Sequence, residues 1–292
     1  MKVLVVGSLN MDYTLYVSRF PLPGETIVGK SRFIQPGGKG ANQASAIAKS
    51  KSCETIFIGA VGNDNDGRVL LETLNNIGVD TTHIKISSFE TGNATINVDS
   101  SSENEITIIP GANSDILPSD LDESLFKDAS FVVLQNEISV ETNLAAMKLA
   151  YKYGVKVIYN PAPYREIDLD ILKYVDYFIP NEIELKNYSG KDDFFESVKT
   201  LLDKGVKNLI VTLGTKGSYF ASRDTSFKVS AYKVKAVDTV AAGDTYVGYF
   251  VASLASGKTN LEAMDMASKA SSITVTRKGS IVSIPFIEEI SL

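Results

Sequence analysis

Val155-Lys156-Val157-Ile158-Tyr159, running straight into Asn160-Pro161-Ala162-Pro163, is a short apolar segment that stops in a turn-forming string, and the pattern on either side of it decides the fold. A run of this kind predicts a strand buried on both faces. Before it, Leu144, Met147 and Tyr151 recur at helical spacing up to Gly154, and residues 131–134 form another apolar strand. After it, residues 177–179 lead into Pro180-Asn181-Glu182-Ile183-Glu184 and a short helix. A further helix around residues 198–202 ends at Gly205, and residues 209–213 form a strand whose exit is Gly214-Thr215-Lys216-Gly217. Strands alternating with helices of this length imply right-handed crossovers and a mostly parallel sheet, an α/β protein. Ligands of such sheets collect at the C-terminal strand ends, where the polar and glycine-rich strings fall.

Toward the N-terminus, Lys2-Val3-Leu4-Val5-Val6-Gly7 reads as another buried parallel strand, with Ser8-Leu9-Asn10-Met11-Asp12 as its loop. That loop lacks G-x-G-x-x-G, which argues against a dinucleotide-binding first unit. Asn10 and Asp12 suit hydrogen bonds to a polyol, and equally serve as turn-formers. From Tyr13 the period changes to two, with Tyr13, Leu15 and Val17 on one face and Thr14, Tyr16 and Ser18 on the other. Pro21-Leu22-Pro23-Gly24 turns the chain, and Thr26-Ile27-Val28 and Arg32-Phe33-Ile34 are expected as short strands. A second alternating segment puts Ala94, Ile96 and Val98 on one face, paired with residues 106–109. Residues 12–35 and 91–110 are therefore expected as one small β-sheet inserted into a body of residues 1–11, 36–90 and 111–292.

Between the insertions, Gly37-Gly38-Lys39-Gly40-Ala41-Asn42-Gln43-Ala44 leads into an alanine-rich helix, a composition that suits either a polar ligand or tight helix packing. It is not a P-loop, and no Gly-x4-Gly-Lys-Ser/Thr string occurs in the chain. Residues 55–61 form a strand with Gly59-Ala60-Val61-Gly62-Asn63-Asp64 as its loop. The next helix carries Leu70, Leu74 and Ile77 and closes at Gly78.

Composition narrows the function classes. The chain has 292 residues and a net charge of −6, with basic residues scattered singly, so nucleic acid is not an expected partner. No apolar run approaches the roughly 20 residues of a membrane span, and no membrane association is expected. One cysteine, Cys53, permits no intrachain disulfide, and a reducing, cytoplasmic setting is expected. The single histidine, His83, leaves no histidine-rich metal site and argues against a serine-protease triad.

The chemistry concentrates in Asp238-Thr239-Val240-Ala241-Ala242-Gly243-Asp244-Thr245, which an apolar helix follows directly. Asp244 falls in the first turn, where backbone amides without helical partners attract an anion. The small side chains of Ala241, Ala242 and Gly243 leave those amides open to a phosphate. Asp244 is then either a base that takes a proton from an attacking group or a plain N-terminal residue complementing the dipole.

Seven strings together resemble one family, the ribokinase-like (PfkB) carbohydrate kinases. They are Gly7 to Asp12, Gly37 to Ala44, Gly59 to Asp64, Pro180 to Glu184, Thr212 to Gly217, Asp238 to Thr245, and Thr276-Arg277-Lys278-Gly279, in family order across nearly the whole chain. The resemblance implies a three-layer α/β/α body with a β-sheet lid and, often, a homodimer formed through the lid. It implies ATP-dependent phosphorylation of a pentose, O5 of D-ribose, with 2-deoxyribose, nucleoside or other sugar kinases as alternatives. A non-catalytic sugar or nucleotide binder is the rival of another class. Sugar contacts carry over to Asn10, Asp12, Gly38, Lys39, Gly40, Asn42, Glu137 and Asp244, with Asp244 as base and Ala242, Gly243 and Lys39 assisting catalysis. ATP contacts carry over to Asn181, Thr212, Gly214, Lys216, Gly217, Gly243 and Ser268, and Glu184 would organise Mg²⁺. A K⁺ loop would use the Asp238 carboxylate, the Ser283 hydroxyl and carbonyls of Val240, Thr274, Arg277 and Gly279. Val240 stands where threonine is common, Tyr246-Val247 where Phe-Asn is common, and Ser268 where a larger adenine neighbour is common.

Overall fold

A computed structural model describes residues 1–101 and 103–290. Strand β1 (Lys2–Val6) opens the chain, and β2 (Asn10–Tyr16) and β3 (Ser31–Gly37) leave the body. Helix α1 (Lys39–Lys49), β4 (Glu54–Gly62), α2 (Asn65–Asn76) and β5 (Val79–Ser87) return to it, and β6 (Gly92–Val98) and β7 (Asn104–Ile109) leave it again. The remainder is α3 (Glu123–Asp128), β8 (Phe131–Leu134), α4 (Val140–Tyr153), β9 (Lys156–Tyr159), β10 (Tyr177–Phe178), α5 (Glu182–Ser189) and α6 (Phe194–Asp203). It continues through β11 (Asn208–Thr212), β12 (Ser218–Ala221), β13 (Ser226–Val229), α7 (Ala242–Ala255), α8 (Asn260–Thr274) and α9 (Ile287–Ile290).

Nine strands join in the order β13-β12-β11-β10-β9-β8-β1-β4-β5. All neighbours are parallel except at the β11-β12-β13 edge, where short connections make hairpins. Side chains of a strand alternate between faces, and β1 displays the result: Val3 and Val5 enter one core with α1, α2, α7 and α8, while Leu4 and Val6 enter another with α3 to α6. That is the three-layer α/β/α arrangement. From β1 the chain winds outward through β4 and β5, and from β8 it winds the other way, so the strand order reverses between β1 and β8. Crevices at such switch points are where α/β sheets bind ligands. No described helix is long and apolar enough to cross a membrane.

A second sheet, β3-β2-β6-β7, stands apart. Asp12 lies opposite Gln35 and Ala94, and Thr14 lies opposite Phe33 and Ile96. Residues directly opposite share a face, so one face carries Gln35, Asp12, Ala94 and Ile108 in one row and Phe33, Thr14, Ile96 and Ile106 in the next.

Three expectations fail. Ser8 to Asp12 is not all loop, because Asn10 to Asp12 already belong to β2, pairing with Gly37, Pro36 and Gln35 of β3. Thr26-Ile27-Val28 is not a strand, and Val28 is 90% exposed. The run joins neither open edge of the small sheet, which ends at β3 on one side and β7 on the other. Gly59 to Gly62 is not a loop either, because β5 runs alongside β4 and pairs Gly59 with Ile84 and Gly62 with Ser87.

Candidate active site

Helix α7 begins at a left-handed residue, Ala241, with φ 59° and ψ 5°. Only glycine adopts that region without cost, and the turn lacks a side-chain cap. The N–H of Ala242 turns back to the Thr239 carbonyl at 3.3 Å, whereas those of Gly243 and Asp244 meet no acceptor among the described residues. Space in front of Gly243 is open. The expected anion turn therefore has free amides at Gly243 and Asp244, with that of Ala242 partly engaged.

Asp244 is buried, and its two oxygens are held separately. Oδ2 accepts from Asn42 Nδ2 at 2.9 Å and Oδ1 accepts from Gln43 Nε2 at 3.0 Å. Both donors come from α1, which lies so close to α7 at Gly248 that any side chain there would meet the Gln43 carbonyl at 2.7 Å. Gln43 is itself fixed by donating to Asn160 at 3.1 Å and accepting from Gln135 Nε2 at 2.8 Å. This network orients the Asp244 carboxylate before any ligand arrives.

The crevice between β1 and β8 lies alongside. Ser8 Oγ donates to Glu137 Oε2 at 2.5 Å, the Lys39 N–H donates to the same oxygen at 2.9 Å, and the Gly40 N–H donates to Ser8 Oγ at 3.2 Å. Gly38, at φ 92°, caps α1 and passes so near the β1–β2 connection that a Cβ would lie 2.8 Å from the Asn10 nitrogen. Asn10 Oδ1 accepts from Asn113 at 2.8 Å. Asn42 Oδ1 is buried with no partner. An unmade buried hydrogen bond costs about 1–3 kcal/mol, so this oxygen is suited to receive a ligand hydroxyl.

Charges are concentrated here. Burial, then Glu137 and Asp244, push the Asp12 carboxyl up to about 7. Burial alone would drive Lys39 toward the neutral amine, but Asp244, Glu137, Glu184 and Asp12 together hold its pKa above the ordinary lysine value. Glu184 is raised by burial, against the N–H of Asn181 and the charge of Lys39.

Two adjoining cavities meet at Gly243, and Asp244 lines the smaller one. The smaller, about 200 Å³, is lined by Lys39, Asn160, Asn181, Glu184, Gly243 and Asp244. The larger, about 640 Å³, includes Asn181, Thr212, Gly214, Gly217, Gly243 and Ser268 in its wall. Asn181, Thr212, Thr239 and Gly243 line both. Asn181 and Glu184 cap α5 reciprocally, Glu184 Oε2 accepting the Asn181 N–H at 2.9 Å and Asn181 Oδ1 the Glu184 N–H at 2.8 Å. Lys216 is not in either wall and pairs with Glu182 at 3.4 Å.

Behind the α7 turn, Asp238 accepts the N–H of Val240 on Oδ1 and that of Gly279 on Oδ2, both at 3.0 Å. The carbonyls of Val240, Arg277 and Gly279 receive no donor among the described residues. The Thr274 carbonyl accepts from the Arg277 N–H at 3.1 Å, and Ser283 Oγ donates to Ser280 at 2.7 Å. The Arg277 guanidinium is committed to Glu289 at 2.6 Å. One carboxylate amid open carbonyls fits a weakly hydrated monovalent cation. The described residues hold no group of three or more His, Cys, Asp or Glu able to bind a metal.

Sequence reasoning missed Ser8, Gln43, Asn113 and Asn160. Gln43 stood inside a string already singled out, next to Asn42. Asn113 carried no signal, because its role depends on a contact with Leu9 and Asn10 across the fold.

The profile of the pfkB family carbohydrate kinases matches residues 1–287. The chain belongs to the pfkB family of carbohydrate kinases. Among members of this family, it is 37% identical over 300 residues to the ribokinase of Staphylococcus aureus, covering 99% of this chain and 98% of the relative. It is equally 37% identical over 298 residues to the deoxyribokinase of Salmonella typhi, covering 99% and 97%. The structure of Arabidopsis thaliana ribokinase complexed with ribose and ATP superposes with a TM-score of 0.93 at 33% identity, covering 99% of this chain and 97% of that one.

Proposed function

We propose that the protein is an ATP-dependent sugar kinase that transfers the γ-phosphoryl group to O5 of D-ribose, giving ribose 5-phosphate. The observation that carries this reading is the convergence on one point of a held carboxylate, two free helix amides and two adjoining cavities. The larger cavity takes the nucleotide, and its triphosphate extends past Gly243 toward Asp244. Ribose lies in the crevice, with hydroxyls directed to Asn10, Asp12, Asn42 and Glu137. Asp244 takes the proton of the attacking hydroxyl, and the Gly243 and Asp244 amides, with Ala242 and Lys39 nearby, neutralise charge on the transferring group. Phosphoryl transfer passes through a loose transition state in most analyses, so an ordinary aspartate is a sufficient base.

Glu184, which lines the smaller cavity, would organise Mg²⁺, which neutralises phosphate charge when bound. Asp238, Ser283 and the carbonyls of Val240, Thr274, Arg277 and Gly279 would hold K⁺, which would stiffen the loop behind the anion turn. The second sheet, residues 12–35 and 91–110, acts as a lid that keeps water from competing with the sugar. Its outer apolar residues support a homodimer in which lids pack together.

The matched deoxyribokinase makes 2-deoxyribose the specific rival substrate. A coupled ADP-release assay over ribose, 2-deoxyribose, fructose and nucleosides, with and without K⁺, tests the proposal. Ribose is expected to give the highest kcat/KM. A higher value for another acceptor overturns the substrate, and no ADP release with any of them overturns the kinase.

A further inference from the structure

The lid and the α7 turn are joined by a chain of hydrogen bonds whose lid end, Gln35 and Ser280, the reaction just described does not use. Gln35 is buried in β3 directly opposite Asp12, so both side chains leave the same face of the lid. Gln35 Oε1 accepts the Ser280 N–H at 2.8 Å. A backbone donor fixes which end of that amide is oxygen. The Ser280 hydroxyl donates to the Pro36 carbonyl, a second tie to the same strand. One residue earlier, the Gly279 N–H donates to Asp238 Oδ2, and the other oxygen of Asp238 holds the Val240 N–H. Val240 leads directly into Ala241, the left-handed cap, and so to Gly243 and Asp244.

The same C-terminal segment is fastened on a third side. Lys49, the last residue of α1, is buried and donates from Nζ to the carbonyls of Ile281 at 2.6 Å and Ile284 at 2.8 Å. Helix α1 begins with Lys39 and carries Asn42, so the segment is anchored to the helix that touches both sugar and base. Ser280 and Ser283 are fully buried. Water therefore cannot take over the Gln35–Ser280 bond, so a shift of Gln35 is passed to Ser280 and Gly279; the onward bonds of Asp238 to Gly279 and Val240 are part-buried and exposed.

We propose that Gln35 is a positioning residue that couples closure of the lid on the sugar to the setting of the phosphate-binding turn. As the lid closes, Gln35 moves Ser280 and Gly279, Asp238 follows, and the Gly243 and Asp244 amides take their places. The inference rests on the proposed function, since it takes the lid to cover a sugar and the turn to hold a phosphate. Gln35 is in neither cavity wall, so its effect falls on the linkage between ligands and not on nucleotide contact.

Linkage is reciprocal: if sugar tightens nucleotide binding by some factor, nucleotide tightens sugar binding by the same factor. Calorimetry with D-ribose and ADP, in K⁺ buffer, measures that factor at equilibrium. In the wild type it is expected within the usual range of about 5–150-fold, and Gln35→Met, which keeps the length but removes the acceptor, should bring it below about 2-fold. ADP affinity without ribose should change by less than about 2-fold, because a purely structural lesion would weaken ADP binding and leave the factor intact. A factor unchanged in Gln35→Met overturns the inference, as does a wild type that binds both ligands independently. A wild type that binds no ribose removes the proposed function and this inference with it. Should Gln35→Met fail to fold, Ser280→Ala removes only the tie to Pro36. A partial loss of coupling there supports the inference, and an unchanged factor overturns it.

Discussion

The two sheets obey different rules of burial. In the nine-stranded sheet, Val3, Leu4, Val5 and Val6 are all fully buried, alternately in one core and the other. In the lid, one face buries Asp12, Gln35, Thr14 and Ala94 and leaves large apolar residues of its outer strands exposed. Phe33, Ile106 and Ile108 on that face are 41, 55 and 45% exposed. Burial in the body means core, held by the hydrophobic effect. Burial in the lid includes polar groups, Asp12, Thr14 and Gln35 among them, while large apolar side chains of its outer strands stay exposed. The body should therefore control folding and the chemical step, and the lid should control sugar affinity and association.

The sharpest test of that division is Asp244→Asn. Turnover should fall by about 10²–10⁴, the usual effect of removing a general base, while ribose still binds by calorimetry. A loss below about tenfold would contradict the base assignment. Next in size is Leu4→Ala, expected to cost about 2–5 kcal/mol of unfolding free energy, as for other buried leucines, measured by urea denaturation. A loss of stability no larger than that of a lid variant would break the contrast between sheets.

The third prediction concerns pH. The folded-state pKa of Asp12, about 7, lies above its ordinary value, so its contribution to stability is complete below that value and is lost as pH rises through about 7. Sugar hydroxyls donate to the ionised carboxylate, so ribose affinity should rise over the same interval, by about tenfold between about pH 6 and pH 8. Asp12→Asn should flatten the profile of ribose KM. A slope that persists in this variant assigns the titration elsewhere. The smallest effect on folding is expected for Ile108→Ser, within about 0.5 kcal/mol, as is usual for exposed positions. Sedimentation should nevertheless show weaker self-association, and a dimer of unchanged strength would place its interface off the lid.

Much of the body was legible because its signals are local. The apolar runs at β1, β8, β9 and β11, the glycine stop at Gly154 and the first-turn position of Asp244 follow from periodicity and capping within a few residues. Resemblance to a known family then supplied candidates such as Glu137 and Glu184, which no local pattern marks. Thr26 to Val28 misled because β propensity does not decide whether a segment docks on a sheet edge.

The sequence by itself determined the class of sheet, the first-turn position of Asp244 and a minority of the residues that line the cavities. Only the tertiary structure decided that Gln43 and Asn42 grip the two oxygens of Asp244, that Asn113 holds Asn10, and that Gln35 is tied to Ser280. These pairs stand far apart in the chain, and their partners are chosen by how helices and sheets pack. Periodicity records which face of an element is turned inward, but not what it meets there.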